Sequence, residues 1–170
     1  MPSTRTKYRK LAEQVETGEL VRIQKGTYSK PEKLFDLEGD FYKATLLAGK
    51  QSAVCLASAL QYYGLLEQII GHTWILVSHK DRPRSEKIKI VRSRQPKWKV
   101  GIVSHRTFSI TNIERSIVDS FRYQKLVGIP TALHALKTAL KEKQTTKSKI
   151  FDMAKKLGTE KRMIPYLESV

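Results

Sequence analysis

Gly18-Glu19-Leu20-Val21-Arg22-Ile23-Gln24-Lys25-Gly26-Thr27-Tyr28, preceded by Tyr8, Leu11, Ala12 and Val15, is the stretch on which the reading of this chain turns. The four preceding residues recur at i, i+3, i+4 and i+7, which makes one apolar stripe on a short helix. Gly18 stands where a helix C-terminus would close. Residues 19–23, the turn Gln24-Lys25-Gly26 and Thr27-Tyr28-Ser29 then read as strand, turn and strand, with Gly26 free to take positive φ. Arg5, Lys7, Arg9 and Lys10 open the helix, and Arg22 and Lys25 lie on the hairpin. Cations so placed suit a DNA-recognition helix followed by its wing. A plain basic hairpin at a frayed N-terminus fits the same residues.

The chain has 170 residues, enough for one ordinary domain or a small module joined to a larger one. Its single cysteine, Cys55, excludes a disulfide framework and a Cys-based zinc site. No apolar run approaches the ~20 residues of a membrane span, and the N-terminus is too polar for a signal peptide. These features predict a cytoplasmic protein with no membrane partner.

The formal net charge is +16. Residues 1–48 carry nine Lys and Arg against seven Asp and Glu; residues 80–99 carry nine against two, and residues 125–170 ten against four. The excess therefore lies in the middle and at the C-terminus. Such a balance favours polyanions, since neutralising phosphates releases counterions. A lysine-rich surface that serves solubility is the plainer alternative.

Residues 29–40 read as a connector. Phe41 to Ala48 suggests one helix and Ser52 to Tyr63 a second, with Ala53, Leu56, Ala57 and Leu60 on one face and Gly64 closing it. Thr73 to Ser78 is a compact buried strand. Lys87 to Arg92 alternates polar and apolar residues and belongs near a sheet edge, where lysines discourage stray pairing. Val100–Val103 and Thr107–Ile110 complete a small sheet. Thr111-Asn112-Ile113-Glu114 fits a capping box for a helix that turns Ile113, Ile117, Val118 and Phe121 inward. Gly128 and Pro130 punctuate. Leu133, Leu136 and Leu140 mark the next helix, and Ile150, Met153, Ala154 and Leu157 a further one from Thr146 to Leu157. A last short turn places Met163, Ile164 and Leu167 inward, with Pro165 limiting its regularity. Strands and helices segregate, so the expected class is α+β. The expected organisation is a helix–hairpin module over residues 1–35 and a second domain over 41–170, mixed to about residue 110 and helical over 111–170.

Convergent chemistry is sparse. His72, His79, His105 and His134 lack metal-ligand spacing, so no metal site is expected. The scattered glycines form neither a phosphate loop nor a dinucleotide fingerprint, so no cofactor is expected. Asp81 with Glu86-Lys87-Ile88 and Lys89 superficially resembles a Mg²⁺-nuclease pattern, but the spacing is wrong and the surrounding cations would repel the metal. The expectation is a binding protein, not an enzyme. Arg82, Arg84, Arg92, Arg94, Lys97 and Lys99 interleave with Trp98 in the basic middle segment. The loop cations read as phosphate contacts. Trp98 offers a stacking face or, the preferred reading, tucks against the core.

Three stretches together resemble the AbiEi-type antitoxin transcriptional regulators of type IV toxin–antitoxin and abortive-infection (phage-defence) systems. Gly18 to Tyr28 resembles their wing. Val54-Cys55-Leu56-Ala57-Ser58-Ala59-Leu60-Gln61-Tyr62-Tyr63-Gly64-Leu65, followed by Thr73 to Val77, is similar to the start of their second domain. Glu114-Arg115-Ser116-Ile117-Val118-Asp119-Ser120-Phe121-Arg122-Tyr123 is the most specific piece. Gly128, Ala132 to Leu136, Ala139-Leu140 and Met163 to Glu168 follow in order, so the likeness spans Tyr8 to Glu168.

The resemblance implies a winged helix-turn-helix that binds double-stranded DNA at repeats in its own promoter. It also implies a C-terminal domain opposing a nucleotidyltransferase-like toxin. Arg115, Asp119 and Arg122 become candidates for the antitoxin surface; as an i,i+3/i+4 charge set they equally order the helix. The family carries two helices ahead of its recognition helix, and Met1 lies only a few residues ahead of this one. The stripe Tyr8-Leu11-Ala12-Val15 then needs cover from a longer N-terminus, from the second domain or from another copy. A protein-interaction or generic nucleic-acid-binding module that has lost operator reading is the alternative function.

Overall fold

A computed structural model describes residues 4–33, 36–68 and 70–170, with the side chains of Thr4, Arg5 and Lys33 outside that description. The expected α+β class holds. Helix α1 (Thr4–Glu16) leads into a hairpin of β1 (Val21–Gln24) and β2 (Thr27–Ser29). Gly26 sits in the turn at φ +81°, a conformation that an L side chain adopts only with strain. Pairing puts Val21 opposite Ser29 and Arg22 opposite Tyr28, then slips at Ile23 before resuming at Gln24 opposite Thr27. Such a bulge re-aims the residue it contains. Ile23 is buried among residues of the main sheet and α2 (Asp36–Ala48).

The main sheet has the strand order β5-β4-β3-β7-β6, with β3 (Ala53–Val54), β4 (Thr73–Ser78), β5 (Ile88–Ser93), β6 (Ile102–Ser104) and β7 (Ser109–Thr111). β3 runs antiparallel to β4 and parallel to β7, β4 is parallel to β5, and β6 is antiparallel to β7. β4 alternates cleanly. Ile75 and Val77 join Phe41, Ala44 and Leu47 of α2, whereas Leu76 packs with Cys55, Leu56 and Val91. A two-faced strand of this kind reads as a nearly continuous apolar run.

Helix α3 (Leu56–Tyr62) and α4 (Ile113–Arg122) pack together, and α4 forms the axis of a bundle. Around it stand α5 (Gln124–Val127), α6 (Ile129–Lys141), α7 (Lys147–Lys156) and α8 (Glu160–Glu168). Every residue of α4 from Arg115 to Phe121 is buried.

Several expectations are corrected. The connector ends early, because α2 begins at Asp36, whose carboxylate accepts the Gly39 N–H at 3.0 Å; residues 34 and 35 lie outside the described residues. The expected helix from Ser52 to Tyr63 is split. Ala53 pairs with Leu76, and Val54 pairs on one side with Ile75 and on the other with Ile110; this cross-strand pairing overrides local helix preference. The capping box does not form. Asn112 caps α4 by accepting the Arg115 N–H at 2.9 Å, while the Thr111 hydroxyl turns inward to Ser116 and Glu114 instead accepts from Thr145. In α6 the buried face is Ala132, Ala135, Leu136 and Ala139, with Leu133 and Leu140 at its margins. Residues 160–168 form a full helix through Pro165 rather than a turn, and its Ile164 points outward.

Candidate nucleic-acid interface

The cations of the N-terminal module are solvent-facing. Lys7, Arg9 and Lys10 on α1 and Arg22 and Lys25 on the hairpin are exposed, and among the described residues only Arg9 of these is paired with a carboxylate, to Glu13 at 3.7 Å. The Arg5 side chain lies outside the described residues. The stripe on α1 is uncovered: Tyr8 is 61% exposed, Ala12 is exposed, and Leu11 and Val15 are only half-buried.

The hairpin is held to the body at its bulge. Lys87 donates from Nζ to the Ile23 carbonyl at 2.8 Å, while the Ile23 side chain enters the core beside α2. A cavity of about 340 Å³ lies under this junction, lined by Arg22, Asp40, Lys43, His72 and Lys87 among others. Lys43 is there neutralised by Asp40 at 2.9 Å.

From that junction the basic middle segment runs along the sheet edge. Because β4 and β5 are parallel, residues 79–87 must carry the chain back along the strand before β5 begins at Ile88. Arg82 and Arg84 on this return, Arg92 within β5, and Arg94, Lys97 and Lys99 just beyond it are all exposed. Arg82 and Arg92 both donate to the Asp81 carbonyl, which folds the start of the loop against the end of the strand. Six residues of β5 at ~3.3 Å each span about 20 Å. One end of this strip meets the hairpin through Lys87. At the other, Gln95 donates to the Leu157 carbonyl at the end of α7. Trp98 is half-buried against Cys55, Leu56, Leu76 and Val91, with Lys99 5.7 Å from its ring centre, so the core reading of this indole holds.

Arg115 and Asp119 are not surface groups. Their side chains are 0% and 1% exposed, and Arg115 Nε donates to Asp119 Oδ2 at 2.6 Å. Arg122, 15% exposed, donates to the other carboxylate oxygen at 2.7 Å. Arg115 also donates to the carbonyls of Trp98 and Val100, which anchors the end of the basic segment onto α4. Gly101 permits that approach, because a Cβ there would lie 2.9 Å from both the Arg115 Cβ and the Met153 Cε. Of the three antitoxin-surface candidates only Arg122 reaches solvent. The spacing i,i+3/i+4 foretold the charge set, but not that it would be sealed in the core.

Cys55 beside this network is buried, and burial, with Asp119 adding to it, pushes its thiol well above the usual range. Its side chain packs with Leu56, Leu76 and Val91 as part of the core. No group of His, Cys, Asp and Glu among the described residues is arranged to hold a metal ion. No described helix is long and apolar enough to cross a membrane. Gln95 and the pair Lys161-Arg162 were not singled out by sequence pattern, although the C-terminal charge excess contains the last two; Lys87 was read as part of the alternating basic strand, but not as the residue that ties the hairpin to the body. No family model matches the chain, and no curated protein matches it.

Proposed function

We propose that this chain is a DNA-binding transcriptional regulator whose α1 and β1–β2 hairpin serve as recognition helix and wing. The observation that carries the reading is the continuity of exposed cations from that module onto the edge strand β5, through the Lys87–Ile23 bond. A helix beside a hairpin suits a groove and its flanking backbone. A basic strip of about 20 Å suits successive phosphates. Double-stranded DNA is the partner this geometry fits. The resemblance to the AbiEi-type antitoxins adds the promoter of the chain's own operon as target and a nucleotidyltransferase-like toxin as the protein it counters.

The test is a salt-dependent binding titration of the chain against its own upstream DNA and against scrambled DNA. Tighter binding to the former at each salt concentration is expected. Equal affinity throughout would reduce the function to generic polyanion binding. The toxin assignment is tested separately by co-expression with the neighbouring gene. Relief of growth arrest is expected, and arrest that persists sinks it. The uncovered stripe Tyr8-Leu11-Ala12-Val15 favours one second reading, in which α1 engages protein rather than DNA. Equal affinity for both DNAs combined with relief of toxicity would select it.

A further inference from the structure

We infer that a cleft between the end of α4 and the start of α8 is a phosphate-binding site, which in the proposed DNA complex takes a backbone phosphate distant from the hairpin. This inference rests on the DNA-binding reading for the source of the phosphate, but not for the chemistry of the site. The cleft measures about 640 Å³ and is lined by Arg122, Tyr123, Glu160, Lys161 and Arg162 together with the turn before α8.

Its charge does not cancel. Asp119 is shared by Arg115 and Arg122, so the three groups together keep one positive charge, and Arg122 is the only member with access to solvent. Lys161 and Arg162 are exposed, and neither has a carboxylate within ion-pairing distance among the described residues. Glu160 is the single acidic group in the lining. Three cations over one acid leave a net charge of +2.

The guanidinium groups are also held in place. Arg122 is fixed by Asp119 and lies 5.4 Å from the Tyr123 ring centre. Arg162 is tied from the other side to the Phe121 and Arg122 carbonyls, at 3.5 and 3.2 Å. Two immobilised forks facing one space match an oxyanion with several acceptor oxygens, and less entropy is lost when it binds. Apart from the Tyr123 ring and Gly158, the lining side chains are polar or charged, which suits an oxyanion. The Gln95–Leu157 bond brings the far end of the β5 strip to the turn that borders the cleft. A backbone that follows the strip from the hairpin therefore arrives here.

The experiment measures binding of the full chain to a labelled duplex of random sequence over a KCl series, for wild type, Lys161→Gln, Lys161→Arg, Lys161→Gln/Arg162→Gln and Arg22→Gln/Lys25→Gln. Thermal melts confirm that each variant is folded, since Arg162 also caps α4. Lys161→Gln is expected to weaken binding several-fold and to lower the salt slope by about 0.9, and the double cleft variant by about 1.8. Lys161→Arg should keep both values. A salt slope equal to that of wild type in Lys161→Gln and in the double cleft variant overturns the site. If only Arg22→Gln/Lys25→Gln loses affinity, the DNA-binding reading stands and the cleft falls. If wild type fails to bind the duplex, the DNA-binding reading falls, and inorganic phosphate decides the cleft alone. Saturable NMR shifts of the Lys161 and Arg162 amides in wild type, lost in Lys161→Gln, support it; their absence overturns it.

Discussion

Arg115 Nε donates to Asp119 Oδ2 across 2.6 Å at a point in α4 where neither side chain touches solvent. The same carboxylate holds Arg122, and Arg115 reaches on to the Trp98 and Val100 carbonyls. One aspartate thus neutralises a buried guanidinium while joining the bundle to the segment that follows β5. Asp119→Asn keeps the shape and removes the charge, leaving a buried cation uncompensated. A loss of about 3–5 kcal/mol is expected, read as a fall in the urea midpoint. A change within error would show that Arg115 finds another counter-charge.

Gly101 and Gly26 both have positive φ, at +74° and +81°, yet they answer different constraints. Around Gly26 a Cβ meets nothing within 4 Å, whereas at Gly101 it collides with Arg115 and Met153. Gly26→Ala is expected to destabilise by about 1–2 kcal/mol from backbone strain alone. Gly101→Ala should do so by a further ~1–3 kcal/mol, because the core must shift. Equal melting temperatures for the two variants would refute the clash.

Much of the fold was legible because its patterns are local. Thr73 to Ser78 reads as a buried strand from a continuous apolar run, and Gly18, Gly26 and Gly128 mark breaks that the backbone uses. What stayed hidden depends on partners distant in sequence. Ala53 and Val54 are strand only because Ile75, Leu76 and Ile110 arrive beside them. Thr111 and Glu114 have the spacing of a capping box, but Ser116 and Thr145 compete for their side chains and win. The candidate interface was half legible. The exposed cations are recognisable by composition, while the burial of Arg115 and the pairing of Lys87 with Ile23 follow from tertiary packing.

Tyr63 donates its hydroxyl proton to the Thr111 carbonyl at 3.0 Å, and burial, with Tyr62 and Glu114 nearby, pushes its pKa up to about 12. The folded state therefore holds this proton more tightly than the unfolded chain, in which a tyrosine titrates near 10. The resulting stability is fully present below pH ~10 and is lost as pH rises through about 12. Tyr63→Phe should lower stability by about 1 kcal/mol at neutral pH and flatten the decline between pH 10 and 12. An unchanged alkaline limb in the variant would assign that decline to other groups, such as Tyr62 or Tyr123, whose pKa values are also raised.

Ile23 and Lys87 fasten the hairpin to the body by two separable means, an apolar side chain in the core and one ammonium–carbonyl bond. Neither residue needs to touch a ligand for its loss to matter. Ile23→Ala removes buried surface at the margin of the core, at a cost of about 2 kcal/mol. Lys87→Met removes a charge-assisted bond, at about 1.5 kcal/mol or more. Because only the hairpin depends on both, the effect should be local. Amide exchange at Arg22 and Tyr28 is expected to rise in either variant, while Leu76 in the sheet centre keeps its protection. For Ile23→Ala, which alters no charge, DNA affinity should fall with the salt slope unchanged, since a loosened hairpin must be ordered on binding. A lowered slope in that variant would mean that the hairpin no longer reaches the phosphates at all. Uniform loss of protection across the sheet would show instead that Ile23 supports the whole core and not the docking of the hairpin.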